Sequence, residues 1–582
     1  LLAVALAAPW LGKPVQVLQQ AKVLIAVLLL GANLYYWRTA DYFADEAALD
    51  PLLHTWSLSV EEQFYLLYPL VLLGTAAVVR SQWTWWALLA ALCIGSFAAA
   101  DWAAGTHPTA AFFLLPARAW ELGTGGVLAL AVRPMQKWRE RHHVHAFHLG
   151  QLVQWLGVLT IIVASVQFDE RTPFPGRWAV VPVGGAALVI SGGTLAGAAA
   201  PLLEWSWLRW IGRISYSLYL WHQVVFVFAR WLQWYPADPV VTVGSVWAAL
   251  ALLAVSLLLG FMSWRHIEEP FRRGPATMTT AQAWWWRLLP AALLLMSTVA
   301  VRQEGWREVI VGYRFTPEQR AMYSLVTQAR QLPPTYSDGA CRFLTESITE
   351  AVESRFATCR DRHGPATLII GDSHARNVFQ AVAPIAPSPF VVGVVRTGCR
   401  PGNASAGCPT AQLEAFVTRH AADIRHVAFI QSGAYLLTDA VGRVDVNALF
   451  RAGVPLRLHL GNVEATLVHL TRLGAHTTVT WLGPWVQPRL PLLLLDNVSE
   501  LHIAPATVAR FVALDSALAA RTSSVGTLVR YRSLLHTVGG DPRFLYDGGC
   551  LAFRDEDHLS PCGERKVGPA LSLLLFDRAS LP

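Results

Sequence analysis

The chain is poor in charge for its length. Only 15% of its 582 residues are charged and 54% are hydrophobic, whereas soluble domains average about 25% charged residues. Tryptophan is also unevenly placed, because 22 of the 25 Trp residues precede Val301. Trp concentrates at membrane–water interfaces. The composition therefore argues against a chain that is soluble throughout, and the first half is predicted to be a membrane domain with several spans.

Apart from Cys93, the first half lacks cysteine. The six later cysteines stand in pairs that are close in sequence, which suits an oxidising compartment outside the cytoplasm; six unpaired thiols are the alternative. Proximity in sequence predicts the bonds Cys341–Cys359, Cys399–Cys408 and Cys550–Cys562. No C-x-x-C pair occurs, so neither zinc nor any other metal is expected.

A basic stripe of the kind that binds nucleic acid is also missing, because the formal charge of +7 is divided about evenly between the halves. Short basic clusters instead separate apolar runs of spanning length, which lie near 62–79, 83–100, 111–132, 150–166, 178–199, 214–232, 240–264 and 284–302. By the positive-inside rule, the basic loops at 133–141, 209–213 and 265–287 are cytoplasmic. The acidic segment 38–61 and everything after residue 302 are then external.

The chain does not begin with Met, and its first residues, LLAVALAAPW, are already apolar. They lack the charged leader and cleavage site of a signal peptide. We therefore expect them to be the tail of a membrane span in an N-terminally truncated sequence. If 1–8 and 15–36 both crossed the membrane, the external placement of 38–61 would be contradicted. A re-entrant segment is one interpretation, and the topology of 1–36 stays open.

Beyond the last span the pattern changes. Residues 304–340 are polar and contain LPPTYSDG, which predicts a linker. From about 366, strand-like runs (TLIIG, FVVGVV, HVAFIQ, TTVTWLG) alternate with helix-like runs. This alternation predicts a parallel sheet covered by helices.

The first strand–helix junction of this region carries a serine. In LIIGDSHARNVFQAV, Ser373 follows a buried-strand pattern and opens a helix, where backbone N–H groups favour developing negative charge. A serine needs a base, and RDEDHLSPCG offers His558 with Asp555 three residues before it. A capping serine and a surface histidine are the alternative. Asp372 and Asp557 are predicted to be turn or capping residues, and His374 to serve in packing or in a helix N-terminal hydrogen bond.

The strings GDSH and DEDHLS together resemble the SGNH (GDSL-like) hydrolase and transferase family, whose fold is a flavodoxin-like α/β/α sandwich. The resemblance implies that Ser373 is the nucleophile, His558 the base and Asp555 its partner. It also implies that the oxyanion is bound by the backbone N–H of Ser373 and by Gly398 in RTGC. The family's oxyanion Asn has no counterpart, because IQSGAY stands in its place.

The membrane half contains three groups of polar residues within or next to its apolar runs. Ionisable side chains at membrane depth are costly and mark functional positions, although wet interfacial positions are the alternative. The groups are His54, Glu61 and Glu62 before one span, Arg118 and Glu121 three residues apart in another, and Ser215, Tyr219 and His222 in a third. Their spacing predicts shared helix faces that point into a bundle.

The strings HTWSLSVEEQFYL and ISYSLYLWH resemble the acyltransferase-3 family of membrane acyltransferases. Joined to an SGNH domain after one extra span, they resemble the fused bacterial O-acetyltransferases of O-antigen, lipopolysaccharide and peptidoglycan. The resemblance implies an acyltransferase domain at 1–275, an additional helix at 276–303, a periplasmic linker at 304–340 and an SGNH domain at 341–582. The family's first spans, with a catalytic His and an Arg-rich acyl-CoA motif, are absent, so we expect this chain as given to be incapable of the membrane step.

The implied function is O-acyl transfer, in particular O-acetyl transfer, from cytoplasmic acetyl-CoA to hydroxyls of an extracytoplasmic polysaccharide. The eight polar residues of the membrane half would line or stabilise the acyl route. Membrane lipid would be a further partner of the protein. The protein would lie in the bacterial inner membrane with the SGNH domain in the periplasm. Two alternatives stay open: a membrane-anchored carbohydrate esterase, and a glycan transporter with a non-catalytic SGNH-like domain.

Overall fold

The structure is a computed structural model that describes residues 1–39, 49–76, 81–168, 172, 174–232, 234, 243–273, 280–401, 408, 410–438, 444, 448–450, 455–488, 492, 495–539, 541 and 544–576. The chain divides into two compact units, Leu1–Arg314 and Phe315–Pro582. The acidic residues Asp41, Asp45 and Glu46 of the predicted external segment lie outside the described residues.

The first unit is helical. Its helices are α1 (Leu2–Leu11), α2 (Pro14–Leu28), α3 (Ala32–Thr39), α4 (Thr55–Ala76), α5 (Gln82–Thr106), α6 (Pro108–Phe113), α7 (Leu115–Arg141), α8 (His143–Gln167), α9 (Val180–Ala196), α10 (Ser206–Trp231), α11 (Val243–Ser263), α12 (Glu269–Arg272), α13 (Thr280–Arg302) and α14 (Arg307–Tyr313). All eight predicted apolar runs fall largely on these helices.

Four helical stretches among the described residues are long and apolar enough to cross a membrane, namely Trp83–Thr106, His143–Gln167, Arg177–Ala196 and Val246–Arg272. The other predicted runs are helical, but charged residues such as Glu61 and Arg118 interrupt them or their apolar part is shorter. The prediction of a membrane bundle from hydropathy is thus confirmed at the level of its helices.

Glycines let α8 and α9 pack closely. A Cβ added at Gly157 would lie 2.6 Å from the carbonyl oxygen of Gly185, and one at Gly192 would lie 2.5 Å from that of Gly150. Small residues allow this backbone approach between membrane helices, where van der Waals packing rather than the hydrophobic effect drives association.

The second unit is an α/β domain. Its elements are α15 (Pro317–Arg330), β1 (Arg342–Thr345), α16 (Glu350–His363), β2 (Ala366–Gly371), α17 (Ser373–Val382), β3 (Val391–Val395), α18 (Thr410–Arg419), β4 (Ile424–Ile430), α19 (Leu460–Gly474), β5 (Thr478–Leu482), α20 (Pro505–Ser523), β6 (Val529–Arg532), β7 (Tyr546–Asp547), β8 (Cys550–Leu551) and α21 (Pro561–Phe576).

The main sheet has the order β1-β3-β2-β4-β5-β6, and its strand pairs are all parallel. Leaving out the edge strand β1, this order is that of flavodoxin-like folds, so the predicted architecture is confirmed. Strand β3 is fully buried and β2 nearly so, as expected for central strands covered by helices on both faces. In such a sheet the carboxyl ends of the central strands form the binding crevice.

The segment predicted as a linker is partly structured. Helix α15 belongs to the second unit, where Met322, Val326 and Ala329 are buried in its hydrophobic core. The three predicted disulfides are present, and Cys93 is free. One of these bonds, Cys550–Cys562, closes the short segment that contains His558.

Candidate active site

Ser373 lies at the predicted junction, because β2 ends at Gly371 and α17 begins at Ser373. Gly371 has φ +144°, and a Cβ there would overlap the carbonyl oxygen of Ile430 in β4. Only glycine fits this close approach without strain. The turn that presents Ser373 is therefore set by the tight contact between β2 and β4.

Asp372 joins several loops at the carboxyl edge of the sheet. Its Oδ1 accepts a hydrogen bond from the backbone N of His374 at 3.0 Å, which caps α17 as predicted. Its Oδ2 accepts from the backbone N of Ser432 at 2.9 Å and from Arg400 Nε at 3.3 Å. The carboxylate is 1% exposed. Asp372 thus holds the loops after β2, β3 and β4 together.

The histidine and its partner lie in the loop between β8 and α21. Asp555 Oδ1 accepts hydrogen bonds from the backbone N of Asp557 at 3.1 Å and of His558 at 2.7 Å. The ring Nδ1 of His558 is 3.0 and 3.1 Å from the two carboxylate oxygens of Asp555. The Asp-x-x-His spacing therefore brings the carboxylate to the imidazole, which is the geometry that fixes its orientation.

A second carboxylate also contacts the imidazole. Asp557 Oδ1 is 2.8 Å from His558 Nδ1, and its Oδ2 is 3.4 Å from His374 Nε2. Asp557 was predicted to be a turn or capping residue rather than a triad member. Its carboxylate contacts two histidines, which that prediction did not include, and its role in the triad stays untested. The only signal in the sequence was that acidic residues flank His558 closely and that a histidine follows Ser373 directly.

His374 is fully buried and stacks on Trp485, with ring centroids 4.3 Å apart. Trp485 Nε1 in turn donates to the backbone carbonyl of Asp557 at 3.0 Å. His374 therefore serves in packing, as predicted, and it also contacts the carboxylate that bridges it to His558. The ligand atoms of His374, Asp557 and His558 lie within 4.8 Å of one another and could hold a metal ion.

The charged groups of this cluster shift one another's pKa values. Burial lowers the pKa of His558, but hydrogen bonds to Asp555 and Asp557 outweigh burial and raise it to about 10. Burial alone would raise the pKa of the Asp555 and Asp557 carboxyl groups. Their contacts with histidine have a larger, opposite effect, so the pKa of Asp555 is lowered and that of Asp557 lies well below its ordinary range. The two carboxylates therefore favour the charged form of the imidazole, which is the form that arises when His558 accepts a proton.

Ser373 Oγ and His558 Nε2 are not hydrogen-bonded to each other in this structure. Within the described residues, Ser373 Oγ makes no hydrogen bond, and the buried His558 Nε2 has no hydrogen-bond partner. The rings of His374 and His558 are 5.7 Å apart between centroids, so the residue that follows Ser373 already lies beside the base. Catalytic hydrogen bonds are often long in unliganded structures.

A buried amide joins the serine helix to the histidine loop. Asn377 Nδ2 donates to the carbonyl of Leu559 at 3.2 Å and to Glu564 Oε1 at 2.7 Å, and the backbone N of Leu559 donates to Asn377 Oδ1 at 3.3 Å. Burial raises the pKa of Glu564 to about 7, against the opposing effects of Asn377, Arg554 and Arg565. Sequence analysis missed this pair, because neither residue belongs to a motif.

Gly398 lies in the loop after β3 with φ +75°. This loop meets the serine turn, since the backbone N of Arg396 donates to the carbonyl of Gly371 at 3.3 Å. Gly371, Arg396 and Arg400 line a cavity that the Cys399–Cys408 bond borders. Gly398 is therefore at the correct edge of the sheet, and its role as an oxyanion donor stays a prediction.

In the first unit, three of the predicted residues come together. The ring of His54 lies 5.2 Å from that of Tyr219 and 5.5 Å from that of His222, between centroids. The hydroxyl of Tyr219 donates to the backbone carbonyl of His54 and contacts Ser57 Oγ, both at 2.7 Å. Both ring nitrogens of His54 are buried without a hydrogen-bond partner among the described residues.

The other predicted membrane residues differ in their burial and in their contacts. Arg118 and Glu121 form the expected pair at 3.2 Å, and Arg118 lies over the Trp56 ring at the start of α4. Glu61 is half-buried, whereas Glu62 is exposed. Ser215 is exposed and donates to Gly212 in its own helix, so the structure does not bring it to the histidine cluster.

Comparison with known proteins divides the chain in the same way. An acyltransferase domain profile, Acyl_transf_3, matches residues 21–265, and the profile of the SGNH domain that is fused to such domains matches residues 336–572. Each part of the chain is thus similar to the domain that its motifs resemble.

Several curated proteins are similar to part of the chain. YrhL of Bacillus subtilis is 27% identical over 41% of this chain and 37% of its own length. The peptidoglycan O-acetyltransferase OatA of Listeria monocytogenes is 26% identical over 41% and 38%, and the O-acetyltransferase OatA of Staphylococcus aureus is 25% identical over 47% and 45%. The chain therefore spans less than half the length of these relatives. No solved structure matches it significantly.

Proposed function

We propose that this chain, which joins an acyltransferase domain to an SGNH domain, transfers O-acyl groups, and specifically O-acetyl groups, to hydroxyls of a glycan. One observation carries the proposal. A serine at a strand–helix junction directly precedes His374, whose ring lies 5.7 Å from that of His558 in a partly buried His–Asp pair, in one chain with a membrane unit that has its own polar cluster. The relatives that are named O-acetyltransferases support the same reaction.

The chemistry in the second unit is acyl transfer through serine. Ser373 Oγ attacks the carbonyl carbon of the acyl donor and gives its proton to His558 Nε2. The ester on the serine forms as the bond between that carbon and its carrier breaks, and the carrier leaves with the proton from His558. A glycan hydroxyl then attacks this ester, its proton passes to His558, and Ser373 Oγ leaves with a proton. The backbone N–H groups of Ser373 and Gly398 stabilise the oxyanion. The Ser373–His558 contact must close before the first step.

Together with the first spans that the family resemblance implies, the membrane unit supplies the acyl group. Acetyl-CoA on the cytoplasmic side is the donor, and the group passes through the bundle along the cluster of His54, Tyr219 and His222. The residues Glu61, Glu62, Arg118, Glu121 and Ser215 line or stabilise this route. Four long apolar helices support placement in the bacterial inner membrane, and three disulfides support a periplasmic second unit. Because the acyl donor is cytoplasmic and the glycan acceptor lies outside the cytoplasm, the reaction needs one domain in the membrane and one beyond it.

The acceptor is an extracytoplasmic polysaccharide. The name of the Listeria relative favours peptidoglycan, and O-antigen, lipopolysaccharide or exopolysaccharide are the other candidates. The test compares surface glycans by mass spectrometry from cells that carry the natural gene, either intact or with Ser373→Ala. We expect the variant to lose one acetyl group per modified repeat unit.

A matched control is Ser354→Ala, which changes an exposed serine on α16 in the same unit and should leave acetylation intact. Full acetylation with Ser373→Ala would refute the proposed serine step. Release of acetate from an acetylated glycan without any transfer would instead identify a carbohydrate esterase.

A further inference from the structure

The cavity that Gly371, Arg396 and Arg400 line takes no part in the proposed serine chemistry. We propose that it binds a carboxylate of the acceptor glycan and that Arg400 recognises this group, which makes the acceptor an acidic glycan. The inference deepens the proposed function and rests on it, because it names the class of acceptor that Ser373 would serve.

The cavity lies next to the turn that carries the nucleophile. Its walls come from the ends of β2, β3 and β4, from α18 and α19, and from the loop that the Cys399–Cys408 bond closes. Gly371, two residues before Ser373, belongs to this lining. The cavity has a volume of about 40 Å³, whereas one water molecule needs roughly 10–15 Å³. It therefore has room for a small group such as a carboxylate.

Arg400 is held at this cavity by two contacts. Its Nε donates to the buried Asp372 Oδ2 at 3.3 Å, and its Cζ lies 3.1 Å from the centroid of the Tyr435 ring. The side chain is 14% exposed, so its conformation is largely fixed before a ligand binds. A preorganised guanidinium loses little conformational entropy on binding.

The outer nitrogens of Arg400 are available to a ligand. Asp372 takes only the N–H group on Nε, whereas a guanidinium also carries N–H groups on Nη1 and Nη2. Within the part of the chain that the structure describes, these two atoms donate to no acceptor. A planar guanidinium matches the two oxygens of a carboxylate, and such charged pairs are stronger than hydrogen bonds between neutral groups.

The other ionisable groups that line the cavity are compatible with an anion. Arg396 is exposed and adds positive charge at the opening. Glu346 contacts Arg376 at 3.3 Å and its side chain is 66% exposed, so solvent screens its charge. Burial outweighs the contact with Glu414 and lowers the pKa of His469, which therefore adds no charge at neutral pH.

A carboxylate bound at Arg400 would bring its own sugar to the nucleophile, because the partner of Arg400, Asp372, directly precedes Ser373. A hydroxyl of that sugar or of the next one is then held beside the acyl-serine, and it outcompetes water through its position. Neutral glycans lack the group that binds there. Arg400 is thus a specificity-determining residue for the acceptor, and it takes no part in the bond changes at the acyl group.

The experiment measures binding to the full chain in detergent, without an acyl donor. Ligand-detected NMR gives the dissociation constants of two acidic sugars, N-acetylmuramic acid and glucuronic acid, and of their methyl esters. Each ester keeps nearly the size of the acid and removes its negative charge. The native chain is compared with Arg400→Gln, with Arg400→Lys and with the control Arg521→Gln, which changes an exposed arginine on α20.

We expect the native chain to bind at least one acid about tenfold more tightly than its ester, as a hydrogen-bonded charge pair provides. The acid with the larger preference identifies where the carboxylate stands on the sugar. Arg400→Gln should lose the preference and keep its affinity for the esters, whereas a purely structural role of Arg400 would weaken acid and ester alike. Arg400→Lys should keep only part of the preference, because an ammonium lacks the planar fork. Arg521→Gln should equal the native chain.

If Arg400→Gln does not fold, the native chain supplies a second measurement. Phenylglyoxal modifies arginine side chains, and tandem mass spectrometry follows the modification of each one. The preferred acid should slow the modification of Arg400 and its ester should not. Modification of Arg521 should respond to neither.

A native chain that prefers neither acid to its ester, or a preference that Arg400→Gln keeps, would overturn the inference. Inorganic phosphate that protects Arg400 better than both acids would also overturn it and would indicate a phosphorylated glycan. These results leave the proposed function standing where Ser373→Ala abolishes glycan acetylation in cells. A preference for the acid that depends on Arg400, together with full acetylation in Ser373→Ala cells, would instead refute the serine step, so the two failures are distinguished.

Discussion

Replacing Glu564 by Gln should make the second unit more stable above neutral pH. Glu564 is 8% exposed, and burial raises its pKa from 4.5 to about 7. Each pKa unit corresponds to about 1.4 kcal/mol, so ionising this buried group costs about 3 kcal/mol. Gln removes the charge and keeps an oxygen that can accept the hydrogen bond from Asn377.

The direction of the effect follows from proton linkage. Between pH 4.5 and about 7 the folded chain holds more protons at Glu564 than the unfolded chain does, so stability falls as pH rises through this window. The contribution is fully present below pH 4.5 and lost above about 7. Glu564→Gln should flatten this slope, with little change at pH 4 and a gain of up to about 3 kcal/mol at pH 8.

Hydrogen exchange of the full chain, followed by mass spectrometry, measures this gain in peptides that cover α17 and α21. Native and variant chains are compared at the same pH, so that intrinsic exchange rates cancel. The control is Glu464→Gln, which changes an exposed residue on α19 and should alter exchange at neither pH. Equal protection of native chain and Glu564→Gln at pH 8 would refute the reasoning.

Three further perturbations test other features. Replacing Cys550 and Cys562 by Ser opens a loop whose ends are 12 residues apart, and should lower the unfolding free energy by about 3 kcal/mol in urea titrations; an unchanged midpoint would contradict this. Gly371→Ala should abolish the labelling of Ser373 by a fluorophosphonate probe, because the added Cβ would overlap the backbone of β4. The control Gly526→Ala has open space around the added Cβ and should lower the unfolding free energy by only about 1 kcal/mol. Asp50→Ala should reduce the yield of folded chain in size-exclusion chromatography. Asp50 accepts three buried or half-buried hydrogen bonds, and the loss of each costs about 1–3 kcal/mol. A native yield and elution profile would contradict this prediction.

Local features of the second unit could be predicted from the sequence. The serine junction, the Asp-x-x-His pair and the three disulfides each depend on residues that are close along the chain. The roles of Asp557, Asn377 and Glu564 could not, because they depend on which surfaces of α17 meet a loop that lies far along the sequence. The edge strands β1 and β6 were also missed, since each is four residues long with mixed polarity.

In the membrane unit, hydropathy locates helices but not their rotation. The spacing of Ser215, Tyr219 and His222 predicts one shared face, yet Ser215 is exposed while Tyr219 contacts the turn that holds His54. Another serine of the same helix, Ser217, is buried and donates to Glu268 at 2.7 Å. Which face of a helix turns inward is decided by packing against neighbours, which a single sequence does not record.

The hydrogen bonds of Asn377 join parts of the second unit that are synthesised at different times. Its partners Leu559 and Glu564 follow it by 182 and 187 residues, so the ribosome makes Ser373 long before His558 and its loop. A chain whose synthesis or export stops short of these residues carries a serine without its imidazole. The second unit therefore cannot complete the proposed serine site until nearly all of it has been made and folded.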